Sequence, residues 1–123
     1  MSLFVSSGGA PVCGLAWINR VQGPGFAPFG FSVVVHNCAV AAFGLAHEVG
    51  HNLGAAHDPA NSNGPGMFPY SYGFRRTDSP AFRDIMSSPC ASGCPPVPYF
   101  SNPAVRVDGR TAVGSPIADV PPA

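Results

Sequence analysis

Eleven residues near the middle of the chain constrain it more than all the rest. They read His47-Glu48-Val49-Gly50-His51-Asn52-Leu53-Gly54-Ala55-Ala56-His57. Three of the chain's four histidines fall here, together with its single Glu. On a helix, His47 and His51 stand four apart, so their imidazoles lie one turn apart on one face. Glu48 sits beside His47, on a neighbouring face. A straight helix would carry its next turn away from that pair. Gly54 supplies the stop, because glycine adopts positive φ at little cost. The chain can then double back and bring His57 toward the other two rings. The spacing thus demands a helix that ends at Gly54 and a loop that reverses behind it.

Three imidazoles gathered this way can grip one Zn2+ and leave a coordination position for water. That is the open form of a catalytic zinc site, whereas structural sites are closed by four protein ligands. Glu48 can reach the water without ligating the metal. The expected roles are metal ligation by His47, His51 and His57, and general-base catalysis by Glu48. His36, the fourth histidine, ends a strand-like run and reads as a satisfied or exposed side chain. Asp58 reads as a turn residue before Pro59 that also anchors the returning loop by hydrogen bonds to backbone.

The flanking sequence supplies elements to carry the motif. Leu3–Val5 reads as the end of a strand, and Val12–Ile18 as a second, short and apolar one. Gly23–Gly30 holds two Pro and three Gly, and is a loop. Phe31–His36 is rich in β-branched residues, as a buried strand is. Asn37 can cap a helix, and Ala39–Leu53 follows with apolar residues at helical spacing and no Pro. Beyond Asp58 the chain reads mostly as loop. Within it, Tyr70–Phe74 is extended, Asp84–Met86 is a brief apolar crossing, and a frayed end begins at Ser115.

Composition narrows the classes. With 123 residues the chain is one small domain. Gly and Pro number 15 each, which points to long, turn-rich loops. A hydrophobic share of 46% and a formal charge of zero argue against disorder. Six Arg and no Lys form no basic stripe, which excludes nucleic acid as a partner. No apolar run is long enough to cross a bilayer. Met1-Ser2-Leu3 lacks the basic and apolar regions of a signal peptide, so any native leader is expected to have been removed.

Cys13, Cys38, Cys90 and Cys94 allow three pairings, and sequence does not choose among them. Local spacing favours Cys90–Cys94, which leaves Cys13–Cys38 to tie a strand to the start of the helix. Four buried free thiols, as in a cytosolic protein, are the alternative. A cysteine zinc site is disfavoured, because neither pair has the two-residue spacing of zinc knuckles.

The eleven-residue run resembles the metzincin signature, HExxHxxGxxH. Metzincins also carry a methionine turn downstream. Asp84-Ile85-Met86-Ser87-Ser88 matches it, with Met86 standing 29 residues after His57. The resemblance implies that Met86 forms a hydrophobic floor beneath the metal. Cys13-Gly14-Leu15-Ala16, Phe26-Ala27-Pro28-Phe29, Phe31-Ser32-Val33-Val34, the zinc motif through Asn61, Tyr70-Ser71-Tyr72-Gly73-Phe74 and Pro98-Tyr99-Phe100-Ser101-Asn102-Pro103 extend the likeness. Together they look like the bacterial peptidyl-Asp metalloendopeptidases, which are similar to the reprolysin and adamalysin peptidases. The likeness covers roughly Val12 to Gly114.

What the resemblance implies is an α+β, zincin-like catalytic core. A twisted, mostly parallel sheet and the active-site helix would occupy residues 1–54, and an irregular, loop-rich lower subdomain 55–123. The implied protein is a secreted bacterial zinc endopeptidase that cuts on the N-terminal side of Asp, and less readily Glu. Its partner is an extended peptide or protein, paired along the strand around Cys13–Ile18. Earlier strands, a long first helix and a C-terminal helix, usual in metzincins, are not recognisable, so the chain reads as a truncated domain. An exposed strand edge would invite pairing with another copy. Some metzincins place a zinc-contacting Tyr two residues after the methionine; Ser88 stands there, and that role is not carried over.

An acidic preference needs a cation in the pocket that receives the residue after the cut. Arg83, Arg75 and Arg76 are the candidates, Arg83 foremost by its closeness to Met86, since Arg can fork two hydrogen bonds onto a carboxylate. The alternative for each is a solvated surface Arg. Two other functions compete with the endopeptidase. One is a zinc-binding module with an incomplete cleft, acting through binding alone. The other is a zinc hydrolase of a non-peptide bond.

Overall fold

The computed structural model describes residues 1–7 and 12–116. From residue 117 on, the expected frayed end lies outside the described residues.

The framework is a three-stranded sheet. Strands β1 (Ser2–Val5), β2 (Gly14–Ala16) and β3 (Ser32–Val35) are ordered β1-β3-β2. The valine-rich β3 takes the centre, where a β-branched run packs best. It pairs in parallel with β1, from Ser2↔Ser32 to Val5↔Val35. With β2 it pairs antiparallel, from Gly14↔Val34 to Ala16↔Ser32. The sheet is therefore mixed rather than mostly parallel. The reason lies in the connections: β1 to β3 is a crossover that takes in β2, whereas β2 returns to β3 directly. On that return, Pro24–Phe29 coils into a 3-10 helix where a plain loop was expected.

Helix α1 (Gly44–Asn52) packs on β2 and β3, covering Val34, which has no exposed surface. Its C-terminal end is pinned from two sides. The Asn52 side-chain amide donates to the carbonyls of Trp17 (3.0 Å) and Phe31 (3.3 Å). The Asn19 N–H donates to His51 O at 2.9 Å.

The helix starts later than its apolar spacing suggests. His36–Cys38 form a 3-10 turn, so Asn37 is no cap, and Phe43 stands at the helix entrance with φ 54°. The cause is covalent. Cys38 is bonded to Cys13 with a Cα separation of 5.5 Å, which holds the segment after β3 against β2. Helix formation must wait until the chain has turned away, and tertiary restraint outweighs the propensity of an alanine-rich run. The second disulfide joins Cys90 to Cys94, and no cysteine is free. Both pairings agree with the spacing argument, and the free-thiol and cysteine-zinc alternatives drop out.

After α1 the chain is loop-rich, as expected, with four short strands that the sequence did not announce. β4 (Arg75–Arg76) pairs antiparallel with β5 (Phe82–Arg83), and β6 (Asn102–Arg106) with β7 (Ala112–Val113). Two- and five-residue strands carry too little alternation to stand out from loop sequence. Tyr72 forms a single parallel bridge with Ala56, which draws the Tyr70–Phe74 stretch against the segment behind the helix. No described helix is long and apolar enough to cross a membrane.

The Cys13–Cys38 bond spans a sequence separation of 25, and loop-closure entropy values it at about 3.5 kcal/mol. A Cys13→Ser, Cys38→Ser double variant is therefore expected to unfold at distinctly lower urea concentration. A midpoint equal to that of the parent chain would mean that the cross-link constrains nothing.

Candidate metal centre

The helix delivers two imidazoles and the loop behind it a third. His47 and His51 lie one turn apart, with ring centroids 4.8 Å from each other. Gly54 ends the helical path at φ +101°, a conformation that a side chain would oppose. The chain then reverses, and Nε2 of His57 arrives 3.2 Å from Nε2 of His47 and 3.2 Å from Nε2 of His51. The ligand atoms of all three lie within 4.8 Å of one another.

Hydrogen bonds orient two of the rings. His47 donates from Nδ1 to Ile85 O at 2.7 Å, and His51 from Nδ1 to Ala55 O at 2.8 Å. Their Nε2 atoms are thus unprotonated when the rings are neutral. Burial favours that neutrality. It lowers the pKa of His47 and takes that of His51 down to about 4, against the opposing pull of their backbone partners. Two inward lone pairs therefore face His57 Nε2, which carries at most one hydrogen and cannot satisfy both. A cation among the three nitrogens can. Nitrogens bound tetrahedrally at the usual zinc distance of about 2.0–2.1 Å stand about 3.3 Å apart, close to the two contacts made by His57. The donor set fits a metal ion, and a borderline-soft one such as zinc in particular.

Glu48 lies on the neighbouring face of α1, with 5% of its surface exposed. No hydrogen bond to its carboxylate occurs among the described residues, and burial raises its pKa to about 7. It rests against β2 at Gly14, where an added Cβ would come within 2.8 Å of Glu48 Oε1. Any larger residue there would displace the carboxylate. Sequence reasoning passed over Gly14, although a glycine within a strand is itself a mark of close approach.

Met86 is 1% exposed and lies beneath the helix. It packs where α1 has no side chain: a Cβ on Gly50 would overlap Met86 Sδ and come within 2.9 Å of the Phe100 ring. The turn holding Met86 is locked by Asp84, whose Oδ1 accepts from Met86 N (3.0 Å) and Ser87 Oγ (2.7 Å). Asp84 has no exposed surface, and its Oδ2 has no partner among the described residues. Burial outweighs the hydrogen bonds and raises its pKa to about 6.

A cleft of about 510 Å3 runs past the three histidines and Glu48. One wall is β2 with its flanks, whose outer edge is unpaired among the described residues. The other is Arg83, Ile85 and Ser87–Pro89. Of the three candidate arginines, only Arg83 lines this cleft, donating from NH1 to Ser87 O at 3.0 Å. Arg75 is committed elsewhere, to Asp58 at 3.3 Å and to the carbonyls of Ser88 and Pro89. Arg76 donates to Ser79 O, away from the cleft. Neither Arg75 nor Arg76 lines the cleft. His36 is exposed and outside the cluster, as expected.

The model of metallo-peptidase family M12 matches residues 1–101. This chain belongs to that family. Several similar proteins are named "Peptidyl-Asp metalloendopeptidase". The one from Xanthomonas campestris pv. campestris is 37% identical over 89 residues, covering 72% of this chain and 21% of its own length. Another, from Stenotrophomonas maltophilia, is 39% identical over 83 residues, 64% of this chain and 19% of its own length. A third, from Pseudomonas fragi, is 35% identical over 72 residues, 58% of this chain and 49% of its own. The chain thus spans a fifth to a half of the relatives it matches. No solved structure matches it significantly.

The Asp84 shift has a definite sign. Its acid form is favoured in the fold, so the folded state binds more protons than the unfolded one between its usual pKa and about 6. Stability is lost as pH rises through that window, by up to about 3 kcal/mol for a shift of about two pH units. Asp84→Asn removes the titration. In urea denaturation, the wild type should therefore lose ground relative to this variant between about pH 4 and pH 7. A gap that stays level across the range would mean that the carboxyl titrates normally.

Proposed function

We propose that this chain carries the catalytic centre of a zinc endopeptidase. His47, His51 and His57 hold the metal, and Glu48 is the general base. The observation that carries the reading is the convergence of three Nε2 atoms beside a buried, otherwise unengaged carboxylate, in a cleft bordered by a free strand edge. Membership of family M12 supports it independently.

Bound zinc would supply Lewis acidity, acidifying a water molecule and polarising the scissile carbonyl. The protein supplies the rest. Glu48 takes the proton of the attacking water and hands it to the departing amine. The edge of β2, unpaired among the described residues, offers main-chain donors and acceptors to an extended peptide, which aligns the substrate along the cleft. Met86, packed under Gly50, keeps the helix seated while the imidazoles hold their positions.

The finer reading is cleavage beside an acidic residue. Arg83 is the cation on the cleft wall, and among the described residues it has no carboxylate partner. It can therefore receive a substrate Asp through its guanidinium fork. The name of the relatives, peptidyl-Asp metalloendopeptidase, supports that specificity. Two disulfides and relatives of bacterial origin support work in an oxidising, extracytoplasmic setting.

Metal analysis of the purified chain, paired with cleavage of a peptide containing one Asp, tests the proposal. Cleavage should stop when a chelator removes the metal and resume on adding zinc. Glu48→Ala should keep its zinc and lose about 10²–10⁴-fold in turnover, the usual share of a general base. Full activity of that variant would falsify the assignment. Zinc binding with no cleavage by the parent chain would leave only a binding module.

Arg83→Ala should cut the preference for Asp over a neutral residue by about tenfold or more, the worth of a charge-assisted hydrogen bond. Cleavage profiling that finds the preference intact removes Arg83 from the pocket.

A further inference from the structure

Arg75 and Arg83 stand directly opposite each other on β4 and β5. Like charges in facing register repel, so the pair needs a counter-charge. Asp58 provides it to one member only. Its Oδ2 lies 3.3 Å from Arg75 Nε, and the carboxylate is almost wholly buried. Arg83 keeps its charge uncompensated among the described residues.

Arg75 also reaches forward. From NH1 it donates to Ser88 O (3.3 Å) and to Pro89 O (3.0 Å). Asp58 Oδ1 accepts the N–H of the same Ser88 at 2.9 Å. Both backbone polar groups of Ser88 are thus held by one ion pair. With Arg83 on Ser87 O, three consecutive carbonyls of the cleft wall are capped by guanidinium hydrogens. The pair is tied to the returning loop, since Asp58 directly follows His57 in sequence and its Oδ2 accepts a further bond from Asn61 at 2.7 Å.

From this we infer that Arg75 is a positioning residue for substrate selection. It clamps the Ser87–Pro89 wall onto Asp58, and so sets where Arg83 presents its charge to an acidic substrate side chain. The inference rests on the reading of this cleft as the substrate site. A planar guanidinium is required, since Nε must serve a carboxylate while NH1 of the same fork serves two carbonyls. A lysine ammonium can replace the ion pair but not the fork.

The test compares the zinc-loaded full chain with Arg75→Lys and Arg75→Gln. The first measurement is amide hydrogen exchange by NMR. Exchange at Ser88 should quicken by about tenfold or more in both variants, with α1 unaffected, as for a local opening. The second is kinetics on a one-Asp peptide. KM should rise about tenfold, with kcat within about twofold and zinc content unchanged, the pattern of lost binding rather than lost chemistry. A merely structural role would instead quicken exchange throughout α1 and lower kcat together with zinc content; that result overturns the inference. So does Ser88 exchange in Arg75→Lys equal to the parent's, or a KM that does not move in an active enzyme. Exchange needs no turnover. An inactive parent chain would therefore sink the peptidase reading while the exchange result still decided whether the clamp exists.

Discussion

The reversal of the chain at Gly54 is the constraint on which the rest of this structure depends. A helix can bring two imidazoles to one point, but not a third, because its axis leaves the point at 1.5 Å per residue. Only a break in the backbone within the next turn can return the chain, and the break at Gly54 takes a φ of +101°. Everything behind it follows from holding that return in place. Ala56 is bridged to Tyr72, Gly73 N donates to Ala56 O, and Asp58 reaches across to Ser88. These bonds join the third imidazole to the Met86 turn without passing through the helix at all. The site is thus built from two supports, one helical and one looped, joined by the hydrogen bonds of His47 to Ile85 O and of His51 to Ala55 O and by Met86 packed under Gly50.

Charge is managed by scarcity. With six Arg against six acids, the chain can leave specific groups unpaired by design of position. Among the described residues, Glu48 and Asp84 are both buried without a cationic side chain as partner, and burial raises both pKa values. Their consequences differ. Glu48 borders the cleft and can exchange a proton with something bound there. Asp84 faces the interior, where its Oδ1 organises the Met86 turn and its unsatisfied Oδ2 is a cost to the fold. Strained, under-satisfied polar groups near a site are what stability gives up for a rigid geometry. Asp58, by contrast, is buried with every oxygen engaged, which is the condition under which a buried carboxylate holds structure together.

Much of the site was legible before any coordinates. The His47–His57 spacing required a helix, a stop and a return, and His57 does reach both partners. Cys90 and Cys94 were close enough in sequence to suggest their bond. What stayed hidden depended on long-range contact. The late start of α1 follows from the bond between Cys13 and Cys38, which helical propensity cannot register. Arg75, Arg76 and Arg83 look alike in sequence, and only the β4–β5 register separates the clamp from the cleft residue. Gly14 and Gly50 drew no expectation from the sequence. A side chain at either would collide with Glu48 or Met86.

Hydrophobic burial alone does not account for the rigidity of such a site. The fully or nearly buried apolar residues among those described are few: Val34, Ala56, Phe82, Ile85, Met86, Cys94 and Val113. Leu15 and Trp17 beside the cleft stay largely exposed. Domains with little core rely on covalent and polar cross-links, and here these are concentrated around the metal cluster. One disulfide fastens the edge strand to the segment that leads into α1. The other closes the loop that follows the cleft wall. Between them, the Asp84 turn and the Asp58–Arg75 pair take up backbone groups that a larger protein would satisfy with regular sheet. Because hydrogen bonds and ion pairs are directional where packing is not, they fix the angles at which side chains meet. A cluster that must hold three nitrogens within a few tenths of an ångström of one geometry gains more from that directionality than from additional buried area.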